Sequence, residues 1–392
     1  MTETRHIHFS REEFAERLAK TRVEMATRDL DALLVFSQEG MYWLTGYDTF
    51  GFCFFQCLIV RPEGEMTLVT RSADLRQARF TSILDDIRIW KDAADADPSI
   101  DLKAALDDFG LSGGKLGVEF DTQGLTARNW RLVEARLGQT AELVDASYLV
   151  ADLRLIKSPQ EIEYARKAGE LGDASFLAAR PLIKAGGDEG EILAAMQGEI
   201  FRRGGDYPGN EFIIGSGPVG PDSGALLCRF YAGRRTLSSS DQITLEWAGA
   251  YRHYHAALMR TVVIGEPRPE HVKMHEAAQA ALLACEAALK PGRPMADVFD
   301  AHARTLDDAG LGHARLKACG YSLGAKYTPC WMDHVMFYEG AKTIMKKNMV
   351  FFLHMILMDS DSGAAMTLGR TSLVTEAGAE PLSQLPLDLE RS

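Results

Sequence analysis

Gln242-Ile-Thr-Leu-Glu246-Trp-Ala-Gly-Ala-Tyr251-Arg-His253-Tyr-His255-Ala-Ala257-Leu-Met-Arg260-Thr-Val-Val-Ile-Gly265 contains two apolar runs of strand length, 242–248 and 254–264. Side chains alternate along a strand, so residues 253, 255 and 257 fall on one face and His253 and His255 share the side of Ala257. Glu246 follows apolar Ile243 and Leu245. A carboxylate buried in such a strand is costly unless paired, which marks Glu246 as a candidate for a shifted pKa and for catalysis.

Working outward, 212–215, 349–358 and 367–375 are further β-rich segments, while 161–179, 189–201 and 271–289 read as helices. The first of these helices sets Ile162, Ala165, Ala168 and Leu171 on one face and starts from the capping box Ser158-Pro-Gln-Glu161. Before it, Ser10-Arg-Glu-Glu13 opens a helix, 31–36 reads as a strand, and 54–60 with 66–69 reads as a hairpin split by Pro62-Glu-Gly64. Strands and helices alternate up to about residue 150. The expected organisation is α+β: a smaller N-terminal α/β domain over 1–153 and a larger domain over 154–392.

Composition narrows the class. The 392 residues are 46% hydrophobic and 25% charged, which matches a folded globular protein and not a disordered or membrane one. A net charge of −12 has the wrong sign for neutralising phosphate, so nucleic acid and anionic membranes are not expected partners. Six cysteines without a Cys-x-x-Cys pair fit a reducing compartment. The first residues lack the apolar core of a signal peptide, and no stretch approaches the ~18 apolar residues of a spanning helix. A cytoplasmic protein is the expectation.

Other candidates are scattered. Arg229, Arg234 and Arg235 precede the Glu246 strand, where a guanidinium either forks a substrate carboxylate or lies on a solvated face. Arg260 reads as a structural ion-pair partner. Trp331-Met-Asp333-His334 mixes aromatic and ionisable groups in a loop, with His334 a second acid/base candidate and Trp331 and Asp333 candidate substrate contacts. Tyr254 accompanies the two histidines. Phe50, Phe52, Phe54 and Phe55 read mostly as strand core.

Four segments in order resemble the creatinase, prolidase and methionine-aminopeptidase (pita-bread) superfamily: Leu153-Arg-Leu-Ile-Lys-Ser-Pro-Gln-Glu161, Glu246 through Gly265, Gly320-Tyr-Ser-Leu-Gly324 and Leu373-Val-Thr-Glu-Ala-Gly378. Tyr42-Trp-Leu-Thr-Gly46 resembles the leading domain of its two-domain members. The superfamily's metallopeptidases hold two metals through two aspartates, one histidine and two glutamates. At the matching positions this chain has Glu246, Ala257, Tyr321, His354 and Gly369. One carboxylate and one imidazole do not replace five ligands, so the resemblance implies a site without metal or other cofactor. If Ala257 marks an old ligand position, His253 and His255 face the same cavity.

Of the two metal-free families on this fold, the chain looks closer to the ectoine hydrolases than to the creatinases: the former share the pattern Glu246-x-Ala-Gly-x-Tyr-x-x-Tyr-His255, the Gly320-Tyr321 pair and Gly204-Gly-Asp-Tyr-Pro208. It departs from them after Ser216-Gly217, where no histidine follows before Cys228. The resemblance implies hydrolysis of a C–N bond in a small cyclic amidine, with Glu246 as nucleophile or general base, His255 or His253 moving the proton, and Tyr321 donating to the intermediate. It also implies a homodimer in which the N-terminal edge near Phe54 reaches the partner's pocket. A creatinase-type amidinohydrolase, a metal-dependent Xaa-Pro dipeptidase and a non-catalytic binding protein remain alternatives.

Overall fold

The computed structural model describes residues 5–227 and 233–392. The chain divides into two compact units, Met1–Arg154 and Leu155–Ser392.

In the first unit Ser10 caps α1 (Arg11–Thr27) by accepting from the Glu13 amide at 3.1 Å. There follow β1 (Ala32–Val35), α2 (Gln38–Thr45), β2 (Cys57–Val60), β3 (Thr67–Arg71), α3 (Leu75–Thr81), β4 (Asp86–Trp90), α4 (Pro98–Asp108), β5 (Lys115–Val118), α5 (Ala127–Leu137), β6 (Glu142–Asp145) and α6 (Leu149–Arg154). The six strands form one sheet in the order β4-β3-β2-β1-β5-β6, with β2 and β3 as the expected antiparallel hairpin. Leu33 and Val35 pack into one apolar cluster and Ala32 and Leu34 into another, so the continuous apolar run of β1 is explained by burial on both faces. The aromatic stretch differs from expectation. Gly51–Cys53 is a 3-10 turn, and although Phe52 and Phe55 are buried, Phe50 and Phe54 are 77% and 42% exposed. The Arg71 guanidinium covers the Phe54 ring at 4.1 Å.

The second unit opens on α7 (Pro159–Ala179) with the expected capping box, Ser158 Oγ and the Glu161 carboxylate each accepting from the other's backbone N–H. It continues with α8 (Glu189–Arg202), β7 (Ile213–Gly217), β8 (Gln242–Tyr251), β9 (Tyr254–Val263), α9 (Pro269–Ala288) and α10 (Ala296–Asp308). The remaining elements are β10 (Ala318–Ser322), β11 (Met336–Tyr338), β12 (Val350–Asp359), β13 (Ala364–Thr375), β14 (Gly378–Pro381) and β15 (Glu390–Arg391). Its nine-stranded sheet runs β11-β10-β12-β13-β9-β8-β7, with β14 on β13 and β15 on β9. Among the described residues no helix is long and apolar enough to cross a membrane.

One face of β8 is taken by helices. Trp247 stacks on Phe176 of α7 with ring centroids 5.3 Å apart, and its indole N–H donates to the Gly172 carbonyl at 2.9 Å. Two residues on, α7 touches the strand backbone itself: a Cβ on Gly249 would overlap the Ala168 carbonyl oxygen and stand 2.5 Å from the Gly172 nitrogen. Odd-numbered residues of β8 therefore face α7, and the even-numbered ones, Glu246 included, face the other way. Replacing Gly249 by Ala should force α7 off the strand and lower the unfolding free energy by about 1–3 kcal/mol. A denaturant midpoint within experimental error of wild type would contradict this contact.

Candidate active site

The β8–β9 hairpin sets the geometry. Tyr251 pairs with Tyr254, and the two residues between them, Arg252 and His253, both have positive φ, 51° and 65°. That is a two-residue type I′ turn, built from residues that carry side-chain strain in that conformation. The His253 backbone offsets it, its N–H donating to Asp206 Oδ2 at 3.0 Å and its carbonyl accepting from the Lys326 amide at 3.0 Å.

Residues directly opposite in an antiparallel pair share a face. Glu246 lies opposite Met259, Ala248 opposite Ala257, and Ala250 opposite His255. Across the sheet, Met259 pairs with Gly369, Gly369 with His354, and Phe352 with Tyr321. Glu246, Ala257, Gly369, His354 and Tyr321 therefore stand on one face, the face that α7 leaves free.

A chain of hydrogen bonds links this face to a neighbouring loop. The Tyr321 hydroxyl donates to Glu246 Oε1 at 3.3 Å and accepts from the Trp331 indole N–H at 2.9 Å. The Tyr321 ring lies 5.7 Å from that of His354 and 5.4 Å from that of Phe352. Burial, and then the charge of Glu246, push the Tyr321 phenol well above its ordinary pKa, so it stays a neutral donor. Trp331 is itself fixed: its amide donates to Asn210 Oδ1 at 3.2 Å, and Gly209 packs against its backbone.

His255 belongs to the same assembly in a role other than expected. Its Nε2 accepts from the Gly209 amide at 2.8 Å, which places the ring proton on Nδ1, a buried atom with no hydrogen-bond partner among the described residues. Burial, and then the charge of His253, depress it to about 3. It is a neutral acceptor that anchors the 209–210 loop, and with Nε2 engaged it is not placed to shuttle protons.

The structure corrects the expectations for His253, Tyr254, Trp331 and Arg260, and only locates Asp333, His334 and Arg234. His253 lies in the turn and not on the strand, so alternation does not carry it to the face of Ala257; its ring stacks on Tyr327 at 4.2 Å. Tyr254 points to the helix side, where its hydroxyl donates to Glu161 Oε1 at 2.6 Å, and it is not a substrate contact. Trp331 is 1% exposed with its N–H committed to Tyr321, which places it behind the site and not in it. Asp333 is buried beside Lys157, the two polar groups standing 3.1 and 3.5 Å from where a Gly324 Cβ would be. His334 is half-buried, its amide donating to Asp333 Oδ1. Arg234 is exposed, at a φ of 58°. Arg229 lies outside the described residues. Arg260 is fully buried and donates to the carbonyls of Met259, Gly369 and Pro386, a backbone staple in place of the expected ion pair.

A cleft of about 510 Å³ opens beside β7, lined by Glu189, Ser216, Ser223, Leu227 and Arg235 among others. Its polar groups already engage one another: Glu189 accepts from Ser216 Oγ and the Arg235 amide, and the Arg235 guanidinium holds buried Asp241. Ser216 pairs with Ile243, three residues along β8 from Glu246, so the cleft lies apart from the five-residue face. Gly209, Asn210 and Phe352 were missed from sequence. The first two directly follow the Gly204 to Pro208 motif, the one signal that pointed to them.

Among the described residues no three His, Cys, Asp or Glu side chains come together as a metal-binding group. Residues 163–376 match the model for metallopeptidase family M24, and residues 17–156 that for the creatinase/prolidase N-terminal domain. The chain is 31% identical to ectoine hydrolase of Halomonas elongata, over 97% of this chain and 98% of that one. It is 25% identical to Xaa-Pro dipeptidase of Pyrococcus furiosus, over 62% and 66% respectively. Of solved structures, prolidase from Thermococcus sibiricus superposes with a TM-score of 0.85 at 20% identity, over 97% of this chain and 99% of that one, a likeness of fold.

The depressed His255 gives a pH dependence of known sign. In the unfolded chain it gains a proton below about pH 6.5, and in the fold only near 3, so its stabilisation is present above 6.5 and is lost as pH falls towards 3. Between pH 7.5 and 5 this one group should remove about 2 kcal/mol. His255→Gln keeps an acceptor for Gly209 without titrating, and urea unfolding at the two pH values should show a smaller loss than wild type. Equal losses would rule the assignment out.

Proposed function

The chain belongs to metallopeptidase family M24, and from that premise we propose that it is a metal-independent hydrolase that opens a C–N bond in a small cyclic amidine. The observation that carries this reading is the five-residue face. Positions that in the resembled metallopeptidases supply four carboxylates and an imidazole supply here one carboxylate, one imidazole and a phenol held neutral, with Ala257 and Gly369 offering no donor at all. This set does not fit two divalent ions, whose charge needs several anionic oxygens. It fits an organic cation. The 31% identity to an ectoine hydrolase over nearly the whole of both chains supports the same class of substrate.

An amidinium pairs with Glu246, bringing its sp² carbon beside the carboxylate. Glu246 takes a proton from a water that attacks that carbon, or attacks it directly to form an ester-like adduct that water then hydrolyses; in either case the negative charge of the carboxylate and the positive charge of the amidinium cancel as the carbon becomes tetrahedral. Tyr321 donates a hydrogen bond to the oxygen that joins the tetrahedral carbon. His354, on the same face, passes a proton to the departing nitrogen. Water is added across the C–N bond, and the ring opens to an amide and an amine. Arg234 and Arg229, on the segment before β8, are the guanidinium groups for a substrate carboxylate.

The working form is proposed to be a cytoplasmic homodimer. Exposed Phe50 and Phe54 support the reading that this aromatic edge of the first unit serves a partner subunit.

Glu246→Gln keeps shape and removes charge. Assayed against ectoine and related cyclic amidines beside guanidino acids and Xaa-Pro dipeptides, wild type should open an amidine, and the variant should be slower by about 10²–10⁴-fold with an unchanged melting curve. Rates within a few-fold of each other would remove Glu246 from the mechanism, and turnover of dipeptides alone would overturn the substrate class.

A further inference from the structure

The chain Trp331–Tyr321–Glu246 has a direction. An indole nitrogen only donates, so the Tyr321 oxygen is the acceptor in the 2.9 Å bond from Trp331. A phenol has one proton. With the indole filling an acceptor site, that proton is directed to Glu246 Oε1 at 3.3 Å, which accepts it as a carboxylate. The indole cannot swing away, because Trp331 is 1% exposed, its amide is tied to Asn210, and Gly209 lies against its backbone. Tyr321 is likewise held, 4% exposed, with its ring against Phe352 and His354.

We propose that Trp331 is a positioning residue for the hydrolysis: its indole N–H fixes the Tyr321 hydroxyl as a donor to Glu246, and so holds the reacting carboxylate in one orientation. Trp331 acts through Tyr321 and touches no substrate. A phenylalanine at 331 fills much of the same space without the N–H, which frees the hydroxyl to rotate and the carboxylate to turn with it. The catalytic consequence rests on the assignment of Glu246 as the reacting carboxylate, whereas the hydrogen-bond chain stands independently of it.

The test has one arm that needs no substrate. In ¹⁵N-labelled full-length protein, the Trp331 indole resonance is assigned by its loss in Trp331→Phe, or by triple-resonance spectra should that variant fail to fold. Tyr321→Phe should move this resonance upfield, and Glu246→Gln should move it by a smaller amount through the intervening hydroxyl. A resonance unmoved by Tyr321→Phe overturns the proposal.

The second arm is a double-mutant cycle on the opening of ectoine. Trp331→Phe should lower kcat by about tenfold, the worth of one hydrogen bond, with KM changed by less than about threefold, and Tyr321→Phe, which also removes the donor to Glu246, should lower kcat by at least as much. The double variant should be no slower than Tyr321→Phe alone, because Trp331 acts only through the hydroxyl that Tyr321→Phe has already removed. Multiplied losses, or a Trp331→Phe effect confined to KM, overturn the proposal. If wild type opens no amidine, the functional reading falls and the resonance arm alone decides whether Trp331 directs Tyr321.

Discussion

The backbone-to-backbone contact of α7 with β8 at Gly249 is the constraint on which the second unit depends. A helix that approaches a strand this closely leaves no room for side chains between them, and Ala168, Gly172 and Gly249 provide that space. With Trp247 pinned to Phe176 and to the Gly172 carbonyl, one face of β8 is spent on the core. A one-residue slip would exchange the two faces, so the contact fixes both the register and the side on which Glu246 emerges. The type I′ turn then fixes β9, and the pairings across β13, β12 and β10 bring Gly369, His354 and Tyr321 to that side.

On that side the chemistry follows from what a carboxylate needs among apolar neighbours. Glu246 obtains a donor in Tyr321, whose phenol is kept neutral by burial and by the carboxylate's own charge. The neutral hydroxyl gives the carboxylate a hydrogen bond without itself carrying charge. Behind the pair, Trp331, Asn210, Gly209 and His255 form a second tier of hydrogen bonds that holds the first, with His255 kept neutral so that its Nε2 can accept.

The sequence shows the fold well wherever one signal is local. The capping box at Ser158, the amphipathic 161–179 face and the β8–β9 strands need only neighbours along the chain to be read, and the structure has them. Glu246 was singled out by a local signal too, a charge set into an apolar strand, and in the structure it is half-buried on the face away from α7. The errors arise where a residue's fate is decided by a distant partner or by where a strand begins. Strand alternation counted His253 as strand, but β9 starts one residue later and leaves it in the turn. Tyr254 has the same local appearance as a site residue and is claimed by Glu161, 93 positions away. Trp331 looks like a substrate contact until its N–H is found on Tyr321. No periodicity in the sequence announces that His255 accepts from Gly209.

The central claim is that an anion on the inner face, and not a metal, is what this site offers its substrate. The most direct measurement is the rate of amidine opening per chain in enzyme dialysed against a strong chelator, alongside its metal content by mass spectrometry. The account predicts full activity with metal far below one ion per chain, and no gain on adding zinc, manganese or cobalt. Activity that disappears with the metal and returns with it would contradict the account.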